Sequence, residues 1–302
     1  MTAGKHSKPG VWDIPAEAYH SGGGTPEPSL SASIAHVLLS KSPRHAWEAH
    51  PRLNPQQRPK ESGTLDHGTA AHALLFEGRE PEIIDFPDWR TNAAKAARDA
   101  ARAEGKVPLL TKDAEVVHAM VDAIGTQLDN LDVTPRPFSD GKAEQTLVWR
   151  EPNGVWCRAR LDWLRNDFTF VDDLKTTTTA SPREWTRRRL WEDGKDIQAA
   201  FYPRGVKALT GIEPEWRFIV VENTPPYALS VISLNPDARA LADAKVEKAI
   251  ALWRQFLDAG LGADSWPAYP RQVCYAELPP WEEARFLEQQ MLTEMDESQV
   301  AA

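Results

Sequence analysis

The stretch 170-FVDDLKTTTT-179 decides how this chain is read: an apolar entry, two aspartates, a lysine and four threonines. On one reading it is a β-strand running out into a polar turn. On the other it is half of a metal-dependent site, because residues two apart on a strand point to the same face. Asp173 and Lys175 have that spacing, so a carboxylate and an ammonium stand side by side. Asp172 alternates to the opposite face and takes a structural role.

Outward from this stretch the pattern keeps a period of two. Segments 144-EQTLVWRE-151 and 155-VWCRARLDWL-164 flank Pro152-Asn153-Gly154, a hairpin signal, and 168-FTFVDDLKT-176 adds the third strand of a meander. Two further strands, 215-EWRFIVVEN-223 and 227-YALSVISL-234, are joined by Thr224-Pro225-Pro226. Short helices are expected within 30–50, and longer ones over 67–78, 92–105, 112–128, 182–192, 195–208 and 236–258. This order predicts an α/β (α+β) domain built round a mixed central sheet flanked by helices. Residues 1–28, rich in Gly, Ser, Pro and His, are expected to form a flexible arm. Residues 29–280 would then be the domain, and 281–302 an acidic C-terminal helix or tail. The Ala-rich 92-NAAKAARDAARAEG-105 has helix propensity but almost no apolar stripe, so it is expected to face solvent.

Bulk composition narrows the class without choosing a function. Of 302 residues, 41% are hydrophobic and 26% charged, ordinary for a globular chain. No run approaches the roughly eighteen apolar residues that cross a bilayer, and the first residues carry no apolar secretory core. No membrane partner is expected. Cys157 and Cys274 give neither a disulfide framework nor a CxxC clip, so a reducing cytoplasm is expected. The net charge of -9 does not exclude nucleic acid, since binding depends on where charges lie, and 183-REWTRRR-189 is locally dense in arginine.

Metal-dependent phosphodiester hydrolysis needs carboxylates for a hard cation and a group that positions water. Glu144, Asp162 and Asp173 fall on neighbouring strands of the meander. Lys175 would sit beside the metal-bound water, to lower its pKa or to stabilise the pentavalent phosphate. Asp162 precedes Trp163-Leu164, an apolar setting in which a carboxylate needs a partner. The Leu174 carbonyl faces the same region. Glu144 reads equally well as a ligand or as a surface residue at a strand start.

Taken in order, Asp162, Asp173-Leu174-Lys175 and 198-QAAFY-202 resemble the PD-(D/E)xK nuclease superfamily in its RecB-like branch. Gln198 and Tyr202 match that branch's Gln-x-x-x-Tyr, and Gly68 and His72 in 68-GTAAH-72 match its Gly-x-x-x-His. The chain looks most like the phage and prophage RecE-type exonucleases, described as exodeoxyribonuclease VIII-like, from about Leu30 to Trp281. The resemblance implies a restriction-endonuclease-like core, with His72, Asp162, Asp173 and the Leu174 carbonyl holding Mg²⁺, or Mn²⁺. It implies degradation of linear duplex DNA from its ends, 5′ to 3′, in the cytoplasm of a bacterial host. A RecT-like single-strand annealing protein as partner and a homo-oligomeric ring are implied in the same way. Two departures are Leu161 where the superfamily's name has proline, and Asp rather than Glu at 173. Neither removes an oxygen ligand.

Other candidates extend the site. Gln198 and Tyr202 share a helical face and would bridge carboxylates and backbone phosphate. One or two of Arg187, Arg188 and Arg189 are expected on phosphate, because consecutive helical residues spread over about 200°. Lys41 and Arg44 are candidates for a 5′-phosphate, and Trp12 and Trp47 for base stacking or for packing. His67 lies about 140° round the helix from His72 and is expected to cap or to face solvent. Two competing readings are a catalytically idle DNA-binding scaffold and a Cas4- or AddB-like nuclease. The latter needs a cysteine quartet for its cluster, which two cysteines do not supply.

Overall fold

The computed structural model describes residues 8–57 and 64–300. The N-terminal part comprises β1 (Gly10–Trp12), α1 (Ala16–His20), α2 (Ala32–Ser40), α3 (Pro43–Ala49), α4 (Thr64–Glu77), β2 (Glu82–Ile84), α5 (Asn92–Ala103), β3 (Pro108–Leu110) and α6 (Thr111–Asp129). The central part comprises β4 (Gly141–Arg150), β5 (Trp156–Arg165), β6 (Phe170–Thr177), α7 (Pro182–Glu192), α8 (Lys195–Thr210), β7 (Glu215–Glu222), β8 (Leu229–Ile232) and α9 (Pro236–Ala259). This body ends at Pro267, and a separate C-terminal unit from Ala268 holds α10 (Pro280–Val300). Among the described residues, no helix is long and apolar enough to cross a membrane.

Six strands of the described chain form one mixed sheet in the order β1-β4-β5-β6-β7-β8. The meander β4-β5-β6 is antiparallel, as its turn chemistry predicts. β6 and β7 run parallel, with Asp173 opposite Phe218 and Lys175 opposite Val220. A parallel pair needs a long crossover, and α7 and α8 supply it.

Apolar clusters cover both faces of the sheet. Trp216, Phe218 and Val220 of β7 join a core with α2, α7, α8 and α9, including Leu38, Trp185, Phe201 and Trp253. The alternate residues Ile219 and Val221 face the other way, with Leu174, against Ala70 and Ala71 of α4 and Val117, Met120 and Ile124 of α6. A strand buried on both faces reads as a continuous apolar run, which is why 215-EWRFIVVEN-223 lacks alternation.

Two expectations are corrected here. Residues 8–28 are not a loose arm. Gly10–Trp12 add an edge strand antiparallel to β4, and Ile14 and Tyr19 bury against Val148 and Trp156. The Arg52 guanidinium then takes up the carbonyls of Thr25, Pro26 and Glu27 at 2.9, 3.0 and 2.6 Å. Edge pairing uses backbone groups and needs no apolar pattern, so composition alone hides it. Nor is α5 wholly solvent-facing. Ala94 and Ala101 are buried where the helix meets the small parallel sheet β2-β3, and such small side chains permit close approach without a broad apolar stripe.

Candidate active site

Five elements that carry candidate residues converge on one cleft of about 730 Å³. His72 comes from α4, Glu144 from β4, Asp162 from β5, Leu174 and Lys175 from β6, and Gln198 and Tyr202 from α8. The glycine of 68-GTAAH-72 has a steric cause. A Cβ on Gly68 would lie 2.8 Å from Thr176 Oγ1, so its absence lets α4 settle onto β6. One turn later His72 is delivered to the carboxylates, its ring backed edge-on by Phe76 at 4.6 Å.

His72 Nδ1 lies 2.8 Å from Glu144 Oε1, and its Nε2 lies 3.1 Å from Asp162 Oδ2. One ligand atom from each of these three residues falls within 4.8 Å of the others. Glu144 pays for its position in backbone strain: its φ is +56°, left-handed for a non-glycine residue, at roughly 1–3 kcal/mol. The β4–β5 ladder keeps one register on either side of it, Ala143–Trp163 before and Gln145–Leu161 after, so Glu144 and Asp162 fall between these two pairs. Arg160 then fixes the carboxylate, with Nε 2.5 Å from Glu144 Oε2 and Nη1 2.5 Å from the Ile14 carbonyl. This settles Glu144 as a cleft residue and links the site to the N-terminal segment. Tyr19 and His20 of that segment also line the cleft, a role the sequence did not signal.

Asp173 is fully buried, and its neighbours hold both oxygens. Gln198 Nε2 donates to Oδ1 at 2.6 Å, and the Lys175 ammonium pairs with Oδ2. The tight cluster joins His72 and Asp162 with Glu144, and Asp173, held by Gln198 and Lys175, stands beside it on the next strand. Asp162 Oδ2 also accepts the Leu174 backbone N–H at 2.9 Å, so adjacent strands lock the two aspartates together. Asp172 faces away, as alternation requires. Its oxygens take Arg217 Nε and Nη2 at 2.6 and 2.9 Å, and the Phe138 N–H at 2.9 Å.

Charge within the cluster follows from these contacts. Burial and the nearby Asp162 charge push the Asp173 carboxyl up to about 6, against the pull of Lys175. Burial also opposes ionisation of Asp162, but His72 and Lys175 outweigh it and hold that carboxyl below the usual range. Lys175 is half-buried, which opposes its charge, yet Asp173 and Asp162 raise its ammonium above the ordinary value. For His72, burial works against protonation, and the Asp162 and Glu144 carboxylates overcome it, raising the imidazole to about 10.

In the metal-free protein His72 is thus an imidazolium clamped between two carboxylates. Its folded pKa lies above its unfolded value of 6.5, so its stabilising contribution is full below that value and is lost as pH rises through about 10. Thermal melting in EDTA should show stability falling across this window, with the fall flattened in His72→Gln. An imidazolium has no lone pair for a cation, so metal uptake must release that proton. Calorimetry in buffers of different ionisation enthalpy should read about one proton released per ion. No release would contradict His72 as a ligand.

Several candidates lie elsewhere. Arg44 does not line the cleft: its Nε binds Glu48 Oε1 at 3.0 Å and its Nη1 the Ala263 carbonyl at 2.9 Å. Lys41 is exposed at the C-terminal end of α2, also outside the cleft lining. Arg187 and Arg188 are exposed, Arg188 pairing with Glu192 at 3.1 Å, while Arg189 lines the cleft. The helix phase explains the choice, since Arg189 lies four residues after the cleft-lining Trp185. Trp12 packs with the Ile14–Trp156 cluster, and Trp47 donates its indole N–H to the Leu261 carbonyl at 2.9 Å. His67 pairs with Asp113 at 3.5 Å, away from His72.

Residues 32–273 match the family model described as a PDDEXK-like domain of unknown function (DUF3799). The chain belongs to this family. A solved structure of a “Putative exonuclease” from Eubacterium rectale is similar to this PDDEXK-like chain with a TM-score of 0.57. The two are 12% identical over 89% of this chain and 97% of that one, a likeness of fold. The solved structure of SSO0001 is 14% identical over 63% of this chain and 85% of that one, with a TM-score of 0.25, and it carries no argument. No curated protein sequence matches the PDDEXK-like chain.

Proposed function

We propose that this PDDEXK-like protein is a metal-dependent exodeoxyribonuclease that degrades linear duplex DNA, 5′ to 3′, exposing 3′ single strands for homologous recombination. The observation that carries the reading is the convergence of His72, Glu144 and Asp162 within 4.8 Å, beside an Asp173–Lys175 pair on the next strand. The PDDEXK-like domain and the fold shared with the E. rectale protein, itself named “Putative exonuclease”, support a nuclease. One imidazole with several carboxylate oxygens suits a hard divalent cation such as Mg²⁺, with Mn²⁺ compatible with the nitrogen ligand. His72, Glu144, Asp162, Asp173 and the Leu174 carbonyl would hold it. When bound, such an ion lowers the pKa of water and neutralises phosphate charge.

The chain's own residues supply the rest. Lys175, paired with Asp173, supplies a cation for the developing phosphate charge. Gln198 orients Asp173, and Tyr202 stands one turn further along the cleft wall, its ring edge-on to Trp216 at 5.5 Å. Arg189 and the Thr176–Thr178 wall extend the cleft with cationic and hydroxyl groups suited to backbone phosphate. The polarity, a RecT-like annealing partner and a ring assembly are carried by the RecE-type resemblance.

Duplexes labelled at either the 5′ or the 3′ terminus test the direction. The 5′ label should be released first, as mononucleotide, while the 3′ label stays on long single strands. Early release of the 3′ label would reverse the polarity.

A further inference from the structure

Among the described residues, every lysine or arginine lining the cleft has a carboxylate partner except one. Lys175 pairs with Asp173, Arg160 with Glu144 at 2.5 Å, Arg189 with Asp193 at 3.6 Å and Arg79 with Glu77 at 2.8 Å. Lys195 lines the same cleft, and among the described residues no carboxylate oxygen lies within 4.0 Å of its ammonium.

The position of Lys195 is fixed by packing. It opens α8 directly after Gly194, which sits so close to α2 that a Cβ there would lie 2.4 Å from the His36 ring. From that start Lys195, Gln198 and Tyr202 recur at i, i+3 and i+7, and all three line the cleft. The acid next to Lys195 in sequence is already taken: Asp196 is fully buried, with Oδ2 2.6 Å from Lys245 Nζ. Lys195 therefore shares a helical face with the Gln198 amide that grips Asp173. A half-buried cation beside the Lys175 ammonium is costly unless an anion pairs with it directly; burial and Lys175 disfavour its protonated form, and the pull of the more distant Asp173, Asp193 and Asp162 carboxylates offsets them only in part.

We infer that Lys195 binds a non-bridging oxygen of the DNA backbone phosphate next to the Asp173–Lys175 centre. The inference rests on the nuclease reading above and adds a substrate contact to it. The ammonium contributes as a point charge, which suits phosphate recognition.

The test is equilibrium binding of the full chain to a 3′-fluorescein linear duplex in EDTA, by anisotropy at several KCl concentrations. Lys195→Ala should weaken binding about tenfold at low salt and make the slope of log K against log[salt] shallower by about one. Lys195→Arg should recover most of both. Lys248→Ala, which removes the same charge from an exposed position of α9, should leave the slope at the wild-type value. A wild-type slope in Lys195→Ala, or a loss that Lys195→Arg does not recover, overturns the phosphate contact alone. Failure of the wild type both to bind duplex and to release nucleotides overturns the nuclease reading and this contact together.

Discussion

Lys175→Ala is expected to lower nucleotide release by about 10³-fold while the protein stays folded. The ammonium is the cation paired with Asp173, on the strand that also carries the Leu174 carbonyl. Removing it takes away charge aimed at the reacting phosphate but leaves the His72–Glu144–Asp162 cluster in place. It also leaves a fully buried Asp173 with only the Gln198 amide as partner, so that carboxyl must rise further above its ordinary range. A carboxyl raised in the folded state stabilises the protein at acid pH, and that stability is lost as pH rises through the folded pKa, about 6 in the wild type. The variant should therefore melt at a higher temperature at pH 5 than at pH 8. Lys175→Arg should restore much of the melting temperature but little of the rate, because a planar fork does not reproduce a point charge. Near wild-type release by Lys175→Ala would remove Lys175 from the chemistry.

Asp172→Ala should do the reverse, costing stability and sparing the chemistry. Asp172 and Arg217 are both almost completely buried, and the guanidinium is doubly bonded to the carboxylate. Arg217 also donates to the Pro135 carbonyl at 2.7 Å and lies over the Phe170 ring at 4.4 Å. Removing one partner strands a buried charge, at about 3–5 kcal/mol. For a body of this size that corresponds to a melting temperature lower by about 10 °C. Arg217→Ala should cost a similar amount, and the double variant less than the sum of the two. Nucleotide release per folded molecule should stay within a few-fold of wild type. A stable Asp172→Ala protein without activity would mean that the two aspartates are assigned to the wrong faces.

These two predictions separate neighbouring residues of 170-FVDDLKTTTT-179, and that separation could be read from the sequence. Strand alternation alone put Asp173 with Lys175 and turned Asp172 away, because the period of two is a local property. The hairpin at Pro152-Asn153-Gly154 and helices such as Pro182–Glu192 were legible for the same reason. What stayed hidden depends on distant partners. The edge strand Gly10–Trp12 is defined by its ladder to Val148, Leu147 and Thr146, and nothing local marks it. The place of Glu144 in the His72 cluster depends on a left-handed residue within the β4–β5 ladder, and that of Asp173 on Gln198 reaching across from α8. The choice of Arg189 over Arg187 and Arg188 needed the phase of α7, which its buried Trp185 and Leu190 fix. Lys195 carried no signal, since its lack of a directly paired carboxylate among the described residues follows from how α8 packs against the cleft.

The central claim is that this cluster is a phosphodiester-cleaving centre that needs a divalent ion and acts from DNA ends. Release of acid-soluble nucleotides from 5′-phosphorylated linear duplex, measured with Mg²⁺ and with EDTA beside a covalently closed circle, tests it most directly. Steady release from the linear substrate in Mg²⁺ alone, with the circle intact, is the predicted result. No Mg²⁺-dependent release from the wild-type protein, or equal cutting of the circle, would contradict it.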